Sequence, residues 1–103
     1  MEQSIKMRIS KKDDEVIVKA LIKHPMETGR RMDQETGETI PAHFIQTVIA
    51  EYEGKKVFTA YWGTGVSKNP FISFKFKGGE ESKVVKLSWF DNKGQSDSLE
   101  TAI

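Results

Sequence analysis

The chain has 103 residues, no cysteine, and 16 lysines and arginines against 15 aspartates and glutamates. A length of this order is typical of one domain, so residues 1–103 are expected to form a single domain. The absence of thiols excludes disulfides, thiolate metal ligands and cysteine nucleophiles, and the balanced charge argues against binding to nucleic acid. No apolar stretch approaches the roughly 20 residues that cross a bilayer, so neither a membrane segment nor a signal peptide is expected.

Seven short stretches have the composition or the alternating polarity of β-strands. In the first, Ile5, Met7 and Ile9 alternate with polar residues, which is the period of a half-buried strand. The predicted strands are residues 3–10, 15–23, 44–52, 55–62, 71–77, 83–91 and 95–101. The predicted turns include residues 11–14, 53–54, 78–79 and 91–94. Because no 3.6-residue periodicity is present, the pattern predicts an all-β fold, an immunoglobulin-like antiparallel β-sandwich, with a β-barrel as the alternative.

The segment between the second and third strands, residues 24–43, is the main irregularity of the sequence. It spans about twenty residues without apolar periodicity and contains Pro25, Gly29, Gly37 and Pro41. Loops of this length in compact domains are usually functional or mobile. This loop is therefore a candidate for contacts with another molecule.

Two histidines, His24 and His43, flank this loop and could lie close together if the loop closes. Two imidazoles can begin a zinc, copper or iron site, but they need a further ligand, which would be Glu27, Asp33 or Glu35. The sequence favours histidines that are solvated or cap a strand end over a metal site. A small histidine-ligated metal-binding redox protein of immunoglobulin-like fold is the alternative function.

The segment 63–70 contains a lone Gly-x-Gly, where backbone N–H groups and Lys68 could bind an anion. An ordinary turn is favoured, because no helix follows and Pro70 is expected to keep Asn69 extended. Serines, histidines and carboxylates are present, but no spacing places a nucleophile beside a base. The sequence therefore predicts a protein that is not an enzyme and requires no cofactor.

Both faces of the hairpin formed by residues 44–62 carry apolar side chains. Its second strand has Phe58, Ala60 and Trp62 on one face and Val57, Thr59 and Tyr61 on the other. Its first strand has Phe44, Val48, Ala50 and Tyr52 on one face and Ile45 and Ile49 on the other. A sandwich needs only one apolar face per strand, so either the long loop or a partner protein is expected to cover the other face.

Four runs in series carry a resemblance to a known family. They are residues 21–29 (LIKHPMETG), 40–45 (IPAHFI), 67–78 (SKNPFISFKFKG) and 89–94 (WFDNKG). Together they resemble the SoxZ family, the smaller subunits of the SoxYZ sulfur carrier, over nearly the whole chain. The resemblance implies an immunoglobulin-like sandwich and a tight heterodimer with a SoxY-like protein, whose cysteine-bearing arm carries thiosulfate-derived intermediates during sulfur oxidation. It also implies transient contacts with pathway enzymes and a periplasmic location reached with a signal-bearing partner.

The role that follows for this chain is that of a non-catalytic scaffold. The chain has no cysteine and therefore cannot itself bear the sulfur. The residues expected to contact partners are His24, Pro25, Met26, Arg30, Arg31, Phe58, Trp62, Lys68 and Asn69. A cationic rim of Arg30, Arg31 and Lys68 would suit a sulfur oxyanion on the neighbouring arm. Uncovered apolar surface is expected to promote self-association of the isolated chain.

Overall fold

The computed structural model describes residues 4–78, 80 and 83–103, which form seven strands and no helix. The strands are β1 (Ile5–Lys12), β2 (Glu15–Ile22), β3 (Ile45–Tyr52), β4 (Lys55–Tyr61), β5 (Phe71–Lys77), β6 (Val84–Asp91) and β7 (Ser96–Ala102). A three-stranded sheet has the order β1-β2-β5, and a four-stranded sheet has the order β4-β3-β6-β7. Every pairing is antiparallel. The expected all-β sandwich of immunoglobulin-like kind is confirmed, and the described residues contain no helix able to cross a membrane.

The strand boundaries follow the turns that the backbone can make. The turn expected over residues 11–14 contracts to Asp13 and Asp14, because Lys11 and Lys12 still pair with β2. Asp13 has a φ of 58°, a left-handed conformation that aspartate tolerates better than most residues. The link between β3 and β4 is Glu53-Gly54, as expected. Gln3 in the first predicted strand and Gly79 in a predicted turn lie outside the described residues.

The core lies between the inward faces of the two sheets. Val16, Val18 and Ile22 of β2 are fully buried. Val16 and Val18 belong to one core cluster with Val85 of β6, and Ile22 belongs to another with Leu87 of β6. Trp89 has the same parity as Val85 and Leu87, which predicts that it belongs to the core, and it is 5% exposed. Its indole N–H donates to the Ser4 hydroxyl at 2.9 Å, and that hydroxyl in turn donates to Asp97 at 2.6 Å. This chain of bonds ties the residue that precedes β1 to the four-stranded sheet.

One expected orientation in the β3–β4 hairpin is wrong. Sequence parity places Ile45 on the face opposite Val48 and Ala50, but its side chain is fully buried with theirs. The cause is a register shift between Ile45 and Thr47, which leaves Gln46 as an extra residue and inverts the alternation at the start of the strand. A second shift between Ala50 and Glu51 adds a residue to β4 at Val57. Sequence parity therefore misreads the two ends of this hairpin.

Candidate functional site

A buried cluster of two histidines and one aspartate closes one end of the sandwich. His24 follows β2, His43 precedes β3, and Asp91 is the last residue of β6. The Asp91 Oδ2 atom lies 3.0 Å from His24 Nε2 and 2.7 Å from His43 Nε2. The two imidazole rings are in edge contact, with their centroids 4.5 Å apart. The carboxylate thus joins both ends of the 24–43 loop to the four-stranded sheet.

The hydrogen bonds define where the protons of this cluster lie. The backbone N–H of Met26 can only donate, so His24 Nδ1, at 3.2 Å, is its acceptor and carries no proton. His24 therefore keeps its proton on Nε2 and donates it to Asp91. His43 Nε2 faces the oxygens of Asp91 and Gln95, and it is likewise a donor. Each bond in the cluster has one donor and one acceptor.

Burial and hydrogen bonding shift the titration of the cluster. Burial lowers the pKa of His24 below its ordinary value, although the hydrogen bond to Asp91 opposes this effect. Burial alone would raise the pKa of Asp91, but hydrogen bonds from His24, the Gln95 N–H, His43 and the Lys93 N–H lower it. The resting cluster is consequently a neutral His24 bonded to an ionised Asp91.

These findings correct the interpretation of the histidines as solvated or capping residues. His24 is 4% exposed, and the residue that joins the pair is Asp91 rather than Glu27, Asp33 or Glu35. Two histidines and a carboxylate are a donor set that can hold a divalent metal. A metal, however, needs an unprotonated nitrogen, and a bound histidine normally donates its other N–H to an acceptor. In His24 that other nitrogen faces the N–H of Met26, so the ring is oriented for the carboxylate and does not fit a metal.

Metal analysis gives a direct check of this assignment. Purified protein equilibrated with Zn²⁺, Fe²⁺ or Cu²⁺ and then dialysed is expected to retain only a substoichiometric amount of metal. His24→Ala is expected to leave that amount unchanged, because neither ring nitrogen of His24 is available as a ligand. One equivalent of metal that disappears in His24→Ala would instead support the metal-binding redox alternative.

The 24–43 loop folds back on itself as an irregular hairpin. Glu27 and His43 exchange two backbone hydrogen bonds, and Met32 pairs with Thr39 further out. Arg31 Nε donates to Glu27 at 3.1 Å, and this pairing lowers the pKa of Glu27. The loop leaves Tyr61 of β4 82% exposed. The sequence predicts that either this loop or a partner protein covers the second face of the β3–β4 hairpin. The loop does not cover Tyr61.

The predicted rim residues are only partly brought together. Pro25, Met26, Arg31 and Lys68 line one shallow depression together with Glu27, so a carboxylate shares the space with the two cations. Arg30 is exposed on the neighbouring turn, where its N–H donates to Thr28. The mixed charge of this depression makes it a weaker site for a sulfur oxyanion than three unpaired cations would be.

The expected extended conformation of Asn69 is wrong. Asn69 has a φ of 52°, in the left-handed region that asparagine tolerates. It exchanges two hydrogen bonds with the backbone of His24, one through its side-chain Oδ1 and one through its own N–H, each 3.0 Å long. These bonds hold the 63–70 turn against the histidine cluster and outweigh the local preference that Pro70 imposes on its neighbour. Asn69 is thus a structural link between the two loops.

The other two predicted contact residues, Phe58 and Trp62, are half-buried and pack against the core. Phe58 stacks on Phe74 of β5, with a centroid distance of 4.4 Å and an interplanar angle of 5°. The residues of the hairpin that point away from the core are others, including Tyr61 and Ile49. The alternation of residues separates the two faces of the hairpin, but it shows neither which face packs on the core nor which residues of β6 and β7 lie beside the outer one.

An uncharged area occupies half of the outer face of the four-stranded sheet. Two adjacent rows of cross-strand partners contain hydroxyl, aromatic and aliphatic side chains and no charged one. We call them the neutral face: Thr47, Ile49, Thr59, Tyr61, Ser88, Phe90, Ser96 and Ser98. The next row, at Glu51, alternates in charge across the sheet through Lys56, Glu51, Lys86 and Glu100. Strand spacings give the neutral face dimensions of about 19 by 14 Å.

Comparisons with known proteins agree with this fold. The family model described as sulphur oxidation protein SoxZ matches residues 5–102. Among solved structures, the chain is similar to a mutant of superoxide reductase (neelaredoxin) from Archaeoglobus fulgidus in the reduced form. That match has 16% identity and a TM-score of 0.64, and it covers 98% of this chain and 89% of that one, so it concerns the fold alone. A search of curated protein sequences gave no match.

Proposed function

Since the chain belongs to the SoxZ family of sulphur oxidation proteins, we propose that it is the non-catalytic, partner-binding subunit of a heterodimeric sulfur carrier. Its partner is a SoxY-like protein that bears the reactive cysteine. The observation that carries the proposal is the neutral face, which is uncharged in a chain of which 30% of the residues are charged.

The composition of the neutral face suits the centre of a protein interface. The buried centres of such interfaces are depleted in charge and enriched in tyrosine and phenylalanine, with polar residues at the rim. Tyr61 is 82% and Phe90 is 45% exposed, so both would lose much contact with water on docking. The row of alternating charges that includes Glu51 and Lys86 supplies one polar rim. A standard interface of about 800 Å² per partner would extend beyond the neutral face on all sides.

The division of labour follows from the chemistry of the side chains. The chain has no cysteine, so the sulfur intermediate must be held on a thiol of the partner. His24 supplies no general base, because it uses both ring nitrogens in internal hydrogen bonds. The role of the histidine cluster in this proposal is to hold the 24–43 loop in one conformation. The scaffold thereby offers the partner and the visiting enzymes a fixed surface.

The proposal also covers the cellular location of the heterodimer and the self-association of this chain when its partner is absent. We place the pair in the periplasm, exported through a signal on the SoxY-like subunit, as the family resemblance implies. The exposed Tyr61 and Phe90 are expected to promote self-association of the isolated chain at high concentration.

Co-expression with a SoxY-like protein tests the proposal. A tag on the SoxY-like protein is expected to retain this chain in a 1:1 complex that stays intact through size exclusion with light scattering. The complex is expected to survive high salt, because the neutral face contributes no ion pairs. The control is a tagged immunoglobulin-like domain unrelated to sulfur oxidation. Elution of the two chains as separate species would contradict the proposal.

A further inference from the structure

The outer face of the three-stranded sheet is strongly basic. Its twelve outward positions, four from each strand, are fixed by the register of β1, β2 and β5. Six of them are cations and only one, Glu15, is a carboxylate. We call this set the basic face, and its cations are Lys6, Arg8, Lys12, Lys19, Lys75 and Lys77. Glu15 lies 3.3 Å from the Lys75 ammonium and is also the cross-strand partner of Lys12 and Lys77. The rows of this face that contain Lys6, Arg8 and Lys19 have no carboxylate.

This charge is local rather than general. The whole chain has 16 cations and 15 carboxylates, so the remainder of the chain holds more carboxylates than cations. The two sheets pack face to face, which places the basic face and the neutral face on opposite sides of the sandwich. A SoxY-like partner bound at the neutral face would therefore leave the basic face open to a second molecule.

An apolar pair lies within the basic face. Leu21 and Phe71 are cross-strand partners and are 42% and 63% exposed, and Lys6 lies beside Leu21 on β1. The next row contains Arg8 and Lys19. Together these five residues line one shallow groove. An apolar centre with cations around it matches a protein surface that has apolar contacts and an acidic rim.

We propose that the basic face is a second docking surface, which binds an acidic patch with an apolar centre on an enzyme that acts on the carrier-bound sulfur. The inference rests on the proposed function, because it assumes a carrier that such enzymes visit. A protein occupant is favoured over a polyanion, since nucleic acid or an anionic membrane extending past the face would meet the acidic remainder of the chain. The cations steer the enzyme to the carrier, and Leu21 and Phe71 contribute apolar contact once it has docked.

The test uses the assembled heterodimer and measures kcat/KM of the visiting enzyme for the loaded carrier as ionic strength rises. The double variant Arg8→Glu/Lys19→Glu is expected to lower kcat/KM about tenfold at low salt and to remove most of its salt dependence. The matched control is Lys55→Glu/Lys93→Glu, which makes the same charge change at exposed lysines outside both faces. This control is expected to leave kcat/KM within about twofold of the unmodified pair.

The affinity of this chain for the SoxY-like protein distinguishes a failure of the proposed function from a failure of the second docking surface. If the heterodimer does not form, the proposed function is wrong, and the inference that rests on it is wrong as well. If the heterodimer forms with unchanged affinity but Arg8→Glu/Lys19→Glu keeps its rate and salt dependence, the second docking surface is wrong. Phosphatidylglycerol vesicles and a 20-base-pair DNA duplex are parallel probes. Binding of either one that is lost in Arg8→Glu/Lys19→Glu, with enzyme rates unaffected, would overturn the inference in favour of a membrane or nucleic acid.

Discussion

Replacing Asp91 with alanine is expected to lower the free energy of unfolding by about 2–4 kcal/mol, because several donors lose one charged acceptor and a hydrogen bond to a charged group contributes about 1.5–3 kcal/mol. The Asp91 carboxylate accepts hydrogen bonds from His24 and His43 through one oxygen and from the N–H groups of Lys93 and Gln95 through the other. The variant would leave these donors without their acceptor at a site where His24 is 4% exposed. Each unsatisfied buried donor costs about 1–3 kcal/mol.

Urea unfolding at neutral pH measures this effect. Asp14→Ala is the matched control, because Asp14 lies exposed in the turn between β1 and β2. That control is expected to change stability by no more than about 0.5 kcal/mol. A loss below about 1 kcal/mol in Asp91→Ala would contradict the assignment of the cluster as the anchor of the 24–43 loop.

The same cluster sets the direction of the pH dependence. The folded-state pKa of His24 is lowered below 6.5, so its contribution to stability is fully present above pH 6.5 and is lost as pH falls through the folded-state value. The pKa of Asp91 is lowered below 3.8, so its contribution is present above pH 3.8 and is lost as pH falls through its folded-state value. Wild-type stability should therefore fall on acidification from pH 6.5, and its advantage over Asp91→Ala should narrow below pH 3.8.

Aspartate at both Tyr61 and Phe90 is expected to weaken the heterodimer at least about 100-fold, since buried aromatic residues dominate interface energies and a buried unpaired carboxylate adds a further cost. The two residues pair with the same residue of β3, Thr47, and so lie in one row of the neutral face. Both point away from the core, so the fold of the variant should be retained.

Titration of the tagged SoxY-like subunit with each variant measures this change. Phe71→Asp is the matched control, because Phe71 is 63% exposed on the opposite sheet and should not alter affinity for the SoxY-like subunit. A circular dichroism spectrum and a urea midpoint for each variant exclude unfolding as the cause. Equal weakening by Phe71→Asp, or an unchanged dissociation constant in the double variant, would place the interface elsewhere.

The strands could be predicted from the sequence because polar and apolar residues alternate along most of them. The inward positions of β2 and β6 agree with that alternation, which correctly predicts that Trp89 belongs to the core. The prediction fails where the backbone departs from strict alternation. Gln46 inserts an extra residue that turns Ile45 inward, and side-chain hydrogen bonding holds Asn69 in a left-handed conformation. Neither effect leaves a mark in the hydrophobic pattern.

The histidine cluster could be only half predicted. The position of His24 and His43 at the two ends of one loop marks them as a pair, but Asp91 lies 67 and 48 residues away from them, where the sequence predicts a turn. The neutral face shows the same limit. Parity places Tyr61 on the face opposite Phe58 and Trp62 but does not show that this face is the outward one, and the nearness of Tyr61 to Phe90 depends on both residues pairing with Thr47 of β3. Contacts of this kind are set by strand order, which a single sequence does not contain.

Hydroxyl-radical footprinting of the isolated chain and of the heterodimer tests the central claim most directly, because it reads the exposure of named side chains without altering them. If the four-stranded sheet receives the SoxY-like subunit, labelling of Tyr61 and Phe90 will fall sharply in the heterodimer. Labelling of Phe71, on the opposite sheet, will stay as it is in the isolated chain. Protection of Phe71 with continued labelling of Tyr61 and Phe90 would contradict the account.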